Sequence, residues 1–369
     1  MNNNKTVAPF QIETARTAAA VVTRLTAATG VSHKDNLNCG DQTLMANYVY
    51  NDRSYDTVYT LMDAVGVVIE SYEEEDGILP TLFNSPTEEP FVSVVPYHPD
   101  KELEISIPVF NREQTEKPKG NRPFTGNFIG VVKDTSLFYD VDPWSDKKPD
   151  KMLAIEFKDG AIKKKNNIKV PPPAQNKVYV QGEEIHLLAE EGEQWIHRLL
   201  NEKGEELRRR YFSLGDKYPR EIIHLSFDDS SCLLTEEEGK LELAVVDAAG
   251  SVTPKALFDL GDPVFNTWPP VSIGPGVSAL RFNTEFGNGW MVIHKHQLVE
   301  LFYSKGVDGY KNLLTGEQIS IPEKKLIISG LNKTRENALA VIIYPKSDKP
   351  KEGKTLIIIN RTITTDGNG

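Results

Sequence analysis

Three stretches of this chain can be laid on one another without a gap, and that superposition limits its fold more than any composition figure does. Val58 to Gly77 (VYTLMDAVGVVIESYEEEDG), Ile185 to Gly204 (IHLLAEEGEQWIHRLLNEKG) and Ser231 to Gly250 (SCLLTEEEGKLELAVVDAAG) are each twenty residues long and end on glycine. The surroundings of the second copy are the clearest. Val178-Tyr179-Val180, Ile185 to Ala189, Trp195 to Leu200 and Glu206 to Tyr211 are short strand-like runs bounded by turn residues. Asn201-Glu202-Lys203-Gly204 suits the loop between the third and fourth runs, because glycine takes a positive φ with no Cβ to clash. A single four-stranded meander cannot bury both faces, so the copies must pack against one another.

Weaker copies of the second hairpin end at Gly120 (ISIPVF and a longer loop), Gly160 (LAIEFKDG), Gly306 (LVELFYSKG) and Gly353 (LAVIIYPK and a longer loop). The turn glycines then stand at 77, 120, 160, 204, 250, 306 and 353, which makes seven units spaced 40 to 56 residues apart. Four strands in about 40 to 50 residues is the spacing of propeller blades, not of helical or leucine-rich repeats. On these residues the chain from Gln42 onward resembles the β-propeller superfamily. The resemblance implies an all-β fold, a seven-bladed β-propeller of four-stranded antiparallel blades, with residues 1–41 as an N-terminal extension and 42–369 as the propeller. It is architectural only. The Trp-Asp dipeptide, the paired glycines of kelch repeats and the Asp box of sialidases are missing, so it selects no subtype and transfers no functional residue.

Within the extension, Gln11 to Thr29 reads as a helix. It is rich in alanine, carries Ile12, Ala15, Ala19, Val22 and Leu25 at three-to-four spacing, and is followed by Gly30 as a stop. Such a helix could cap one face of the disc or dock on a partner; a strand closing the ring is the third option. His33 to Gln42 reads as a loop. After Gly353, Thr355 to Asn360 (TLIIIN) is strand-like enough for the C-terminus to finish the last blade by itself.

A formal net charge of −11 keeps a chain soluble and argues against a phosphate-rich partner. No run of 18 apolar residues occurs and the N-terminus lacks a signal-peptide pattern, so the expected location is the cytoplasm, with no nucleic acid and no membrane as partner. Cys39 and Cys232 are the two cysteines, neither in a Cys-x-x-Cys pair, and Cys232 reads as a packed free thiol. Two basic runs, Lys163-Lys164-Lys165 with Lys169 and Arg208-Arg209-Arg210, fall on the last strand of their units, where charge discourages edge-to-edge aggregation.

Motifs of catalysis and cofactor binding are missing: there is no nucleophile elbow, P-loop, zincin helix or dinucleotide fingerprint. His294 and His296 would share one face of a strand, but no third ligand accompanies them in sequence. No catalytic, cofactor-binding or metal-binding residue is therefore nominated, and no cofactor is expected. The candidates for partner contact are Trp144, in the polar insertion 141–151, and Trp268-Pro269-Pro270, in the long sixth unit. The leading expectation is a non-catalytic interaction module or scaffold subunit contacting other protein subunits of an intracellular complex. Two alternatives stay open: a carbohydrate-active or lyase-type enzyme with carboxylates at the central channel, and a sensor of a small molecule or sugar.

Overall fold

The computed structural model describes residues 10–17, 20–28, 30–39, 42–50, 55–63, 68–74, 79–84, 90–95, 104–106, 127–132, 135–139, 151–158, 161–169, 177–181, 183–215, 218–224, 230–268, 270–346 and 354–364. Every helix or strand among them is a β-strand, and the strands form seven sheets. The chain opens with β1 (Phe10–Arg16) and β2 (Val21–Ala27), whose sheet is completed only at the other end of the sequence. Sheet I holds β3 (Val31–Cys39), β4 (Gln42–Tyr50), β5 (Tyr55–Met62) and β6 (Val68–Glu74). Sheet II holds β7 (Leu79–Asn84), β8 (Pro90–Val95) and β9 (Glu104–Ser106). Sheet III holds β10 (Asn127–Val132), β11 (Thr135–Tyr139), β12 (Lys151–Lys158) and β13 (Ala161–Lys169).

Sheet IV holds β14 (Lys177–Gln181), β15 (Glu184–Glu191), β16 (Gln194–Leu200) and β17 (Glu206–Phe212). Sheet V holds β18 (Tyr218–His224), β19 (Ser231–Glu237), β20 (Lys240–Val246) and β21 (Val252–Asp259). Sheet VI is the largest, with β22 (Val264–Thr267), β23 (Val271–Gly274), β24 (Val277–Thr284), β25 (Asn288–His294), β26 (Gln297–Tyr303), β27 (Gly309–Asn312) and β28 (Gln318–Ser320). Sheet VII runs β1-β2-β31-β30-β29, with β29 (Leu326–Arg335), β30 (Ala338–Pro345) and β31 (Thr355–Thr362).

At most of the seams between successive sheets the inner strands lie beside one another: β29 meets β3, β3 meets β7, β7 meets β10, β10 meets β14, β18 meets β22, and β23 meets β29. Later strands are stacked outward from that ring, as the propeller resemblance implies. The cores sit accordingly between sheets. Trp290, Phe302, Val341 and Ile357 fill the seam of sheets VI and VII; Leu241, Leu243, Leu280 and Met291 fill that of V and VI; Leu25, Met45, Val58 and Ile358 fill that of VII and I. Each fully buried aliphatic or aromatic side chain contributes about 1.5–3 kcal/mol.

Gly204 and Gly250 occupy equivalent turns between the third and fourth strands, at φ +79° and +88°. In both, the glycine N–H returns to the carbonyl of the turn's first residue, Asn201 or Asp247, at 2.9 and 3.0 Å. In both, that residue's Oδ1 accepts two further backbone N–H groups. Each turn presses on the outer strand of the preceding sheet, so a Cβ at Gly204 would strike Ile168, and one at Gly250 the Tyr211 carbonyl. Trp195 and Leu241, nine residues before these glycines, are both buried, one against sheet V and the other against sheet VI. Val68, the third member of that set, begins β6, and its side chain lies outside the described residues.

Three expectations are corrected. The helix over Gln11 to Thr29 is instead the β1–β2 hairpin, and β2 pairs with β31 from Val21↔Asn360 to Thr26↔Thr355. Val21, Val22, Thr23 and Thr26 are β-branched, and the open edge of β31 beside them outweighs the helical propensity of the alanines. The same pairing means that the C-terminal run does not finish its sheet alone. Residues 31–39 are likewise strand, not extension or loop, which moves the Val58 run from second to third strand of its sheet. Gly306 follows β26, the third of the strands that begin with β24, at φ +72°, while Gly77, Gly120, Gly160 and Gly353 lie outside the described residues. Among the described residues, no helix is long and apolar enough to cross a membrane.

Candidate functional site

Sheet VI carries four of the eight exposed large apolar side chains among the described residues: Phe265 (55% exposed), Phe286 (65%), Leu313 and Leu314. Its strands alternate in direction, so the segment entering β22, the β24–β25 turn and the segment leaving β26 all reach the same end of the sheet. Phe265 is the second residue of the inner strand β22 at that end, and Phe286 is in the β24–β25 turn.

A buried carboxylate ties these segments together. Asp262, 2% exposed, accepts the Tyr303 phenol at 2.5 Å and the Lys305 ammonium at 2.7 Å. Lys305 also donates to the Gly261 carbonyl at 3.2 Å and hangs over the Phe286 ring, 5.7 Å from its centre. Thr284 is 2.6 Å from the Tyr303 hydroxyl and accepts the Gly287 N–H at 3.0 Å, closing the turn behind Phe286. A Cβ on Gly287 would press into the Tyr303 ring, so only glycine lets this turn sit so close. Burial, and next to it the bond to Asp262, pushes the Tyr303 phenol well above its ordinary value, which keeps it a proton donor to that carboxylate. The network braces the turn that carries Phe286 and the entry to the strand that carries Phe265, both of them exposed side chains.

Of the residues nominated from sequence, Trp144 and Pro269 lie outside the described residues. Trp268 and Pro270 are not on a projecting loop. β22 and β23 both pair with β24 as two halves of one inner strand, and Trp268 between them donates its N–H to the Arg281 carbonyl at 3.2 Å. Trp268 is half-buried under the Arg281 guanidinium, 4.1 Å from the ring centre, and Pro270 is buried. Both therefore stand in the strand that presents Phe265.

His294 and His296 do not share a strand face. His294 ends β25, while Lys295 and His296 form a two-residue turn at φ 45° and 66°. His296 Nε2 meets Ser230 Oγ at 2.5 Å. Among the described residues no three metal-ligating side chains gather. Glu300 is raised by burial, offset in part by Arg361, which donates to it at 2.6 Å while packing on Phe302; this pair joins β26 to β31, away from the inner ring. The two basic runs lie where the repeat puts them, on β13 and β17, the last strands of sheets III and IV. Arg210, however, is buried and bonds Ser231 and the Val246 carbonyl of sheet V. Cys232 is buried and belongs to no disulfide among the described residues.

No protein-family model matches the chain, and no curated protein matches it by sequence. Solved structures do. The β-propeller domain of the trilobed protease from Pyrococcus furiosus, described as having an open velcro topology, is 12% identical over 92% of this chain and 97% of that one, with a TM-score of 0.51. Prolyl oligopeptidase B from Galerina marginata, in its apo form, is 11% identical over 87% of this chain and 48% of its own, with a TM-score of 0.50. At such identities the likeness shows the fold alone: the chain has a β-propeller fold.

Proposed function

We propose that this β-propeller, with seven blades corresponding to the seven sheets, is a non-catalytic interaction module of an intracellular protein complex. The observation that supports it is the exposed pair Phe265 and Phe286 on backbone braced by Asp262, Tyr303 and Lys305. Aromatic side chains on a rigid support are what protein interfaces use as anchors, because little side-chain freedom is lost on docking. Trp268, half-buried in the inner strand that carries Phe265, is a further candidate for contact, while Trp144 and Pro269 stay candidates on the sequence alone and the buried Pro270 is a weaker one.

The test is quantitative co-purification of the tagged full chain from its native cells, wild type beside the Phe265→Ser/Phe286→Ser double variant. The reading expects protein subunits in fixed stoichiometry with the wild type and their loss from the variant, at unchanged melting temperature. A wild-type chain that purifies alone, or partners retained by the variant, would overturn it.

A further inference from the structure

The outermost strand of sheet VII stands apart from the rim strands of its neighbours. Phe10 is the one buried side chain of β1; Gln11, Ile12, Glu13, Thr14, Ala15 and Arg16 are all exposed, so both faces of the strand stand in water. Other rim strands pack on the next sheet: β17 buries Arg210 and Phe212, and β21 lays Ala256 and Phe258 on the core shared with sheet VI. β1 is also a fifth strand, where sheets III, IV and V stop at four. Ordering its seven residues costs conformational entropy that the burial of one phenylalanine offsets poorly, which leaves the strand short of stabilisation while its outer edge is bare.

The register of β1 on β2 fixes which backbone groups that edge offers. Thr17 donates its N–H to the Ala20 carbonyl at 2.9 Å, and from that pair every second residue back along β1, Ala15, Glu13 and Gln11, points its N–H and C=O at β2. Ile12, Thr14 and Arg16 therefore point theirs outward, and among the described residues no strand pairs with them.

The geometry points to a second copy of this chain as the occupant of that edge, paired antiparallel about a two-fold axis through Thr14. Centred there, Thr14 meets Thr14 of the second copy and Ile12 meets its Arg16, so each outward donor finds an outward acceptor. Glu13 meets Ala15 on the opposite face. Threonine on threonine is a favourable cross-strand pair, and no like charges stand opposite one another. Centring on Glu13 instead would set two carboxylates directly face to face, and centring on Ile12 or Ala15 would run Arg16 or Ile12 past the end of the strand. Charge also permits the approach: β1 carries one acid and one base, Glu13 and Arg16, so copies of net charge −11 meet here on a strip that is locally neutral. This edge and the Phe265 and Phe286 surface belong to different sheets, and neither reading depends on the other.

The test is sedimentation velocity of the full chain over a wide range of concentration. The wild type should be a dimer that dissociates on dilution. Thr14→Pro removes an outward N–H and no backbone bond to β2, so it should raise the dissociation constant at least tenfold with circular dichroism and melting temperature unchanged. Phe265→Ser/Phe286→Ser should leave that constant as it is. In Glu13→Cys/Ala15→Cys the cysteines face each other across the two-fold at a separation a disulfide spans, so mild oxidation should give a covalent dimer, and Glu13→Cys alone should not. If Thr14→Pro fails to fold, the cysteine variants decide. A chain that stays monomeric at every concentration, a dimer indifferent to Thr14→Pro, a double cysteine variant that does not couple, or a single one that couples as well would each overturn the proposal.

Discussion

Sheets IV and VII solve the same problem with opposite resources. Sheet IV is drawn from one continuous segment, β14 to β17, each strand pairing with the next along the chain. Sheet VII is drawn from both ends of the sequence: β29, β30 and β31 take β2 and then β1 on their outer side. The first needs only hairpins, whose closure costs little entropy; the second needs a contact across almost the whole chain, and forms late if at all without the rest of the ring. Its reward is a shared core. β2 puts Val22 into the seam with sheet VI and Leu25 and Ala27 into the seam with sheet I, so one strand seals the ring on both sides.

The largest effect should come from removing that strand. A chain beginning at Asn38 lacks β1, β2 and most of β3, and leaves the edge of β31 uncovered, with Ile357, Ile358 and Ile359 beside it. It should lose its cooperative thermal transition or aggregate; a melting curve like that of the intact chain would mean that sheet VII is self-sufficient, like sheet IV. Next comes Trp195→Ala, which empties the seam of sheets IV and V and should cost about 3–5 kcal/mol in denaturant unfolding. A cost near zero would show that sheet IV is held by its hairpins alone. Asp262→Ala, outside both sheets but on the brace that fixes the inner end of sheet VI, should cost about 1.5–3 kcal/mol, because the buried Tyr303 hydroxyl loses a charged partner.

Gly250→Ala should follow, at more than about 1 kcal/mol, since an L-residue at φ +88° is strained and its Cβ meets the Tyr211 backbone of sheet IV. The smallest effect is one of pH. Burial, with Lys295 adding to it, holds His294 below its ordinary value of 6.5. The unfolded chain therefore takes the proton first, and stability present above that value is lost as pH falls through it. His294→Gln should flatten the dependence of melting temperature on pH slightly in that window; an unchanged slope would remove His294 from the account.

What was legible in the sequence follows the same division. Gly204, Gly250 and Trp195 were readable because turn chemistry and the alternation of apolar residues act over a few residues. The β2–β31 pairing was not, because nothing local in VVTRLTA identifies its partner, and the alanines around it mimic a helix. The polar run of β3 reads as a loop, and missing it shifted the frame of sheet I by one strand. Trp268-Pro269-Pro270 reads as a break, yet β22 and β23 pair with β24 along one edge only, so Pro270, which has no N–H, is tolerated between them. Asp262, Tyr303 and Lys305 carry no pattern at all; Asp262 precedes β22 while Tyr303 ends β26 and Lys305 follows it, about forty residues on, so they become a unit only once the strands of sheet VI are assembled.

Hydrogen exchange read by mass spectrometry over residues 21–27, with residues 185–189 of the self-contained sheet as the internal standard, tests the closure of the ring most directly. If β2 is sealed between two cores, its amides exchange only with global unfolding, as slowly as those of β15. If instead residues 21–27 exchange freely while residues 185–189 stay protected, the N-terminus is no part of sheet VII, and the closed ring described above is wrong.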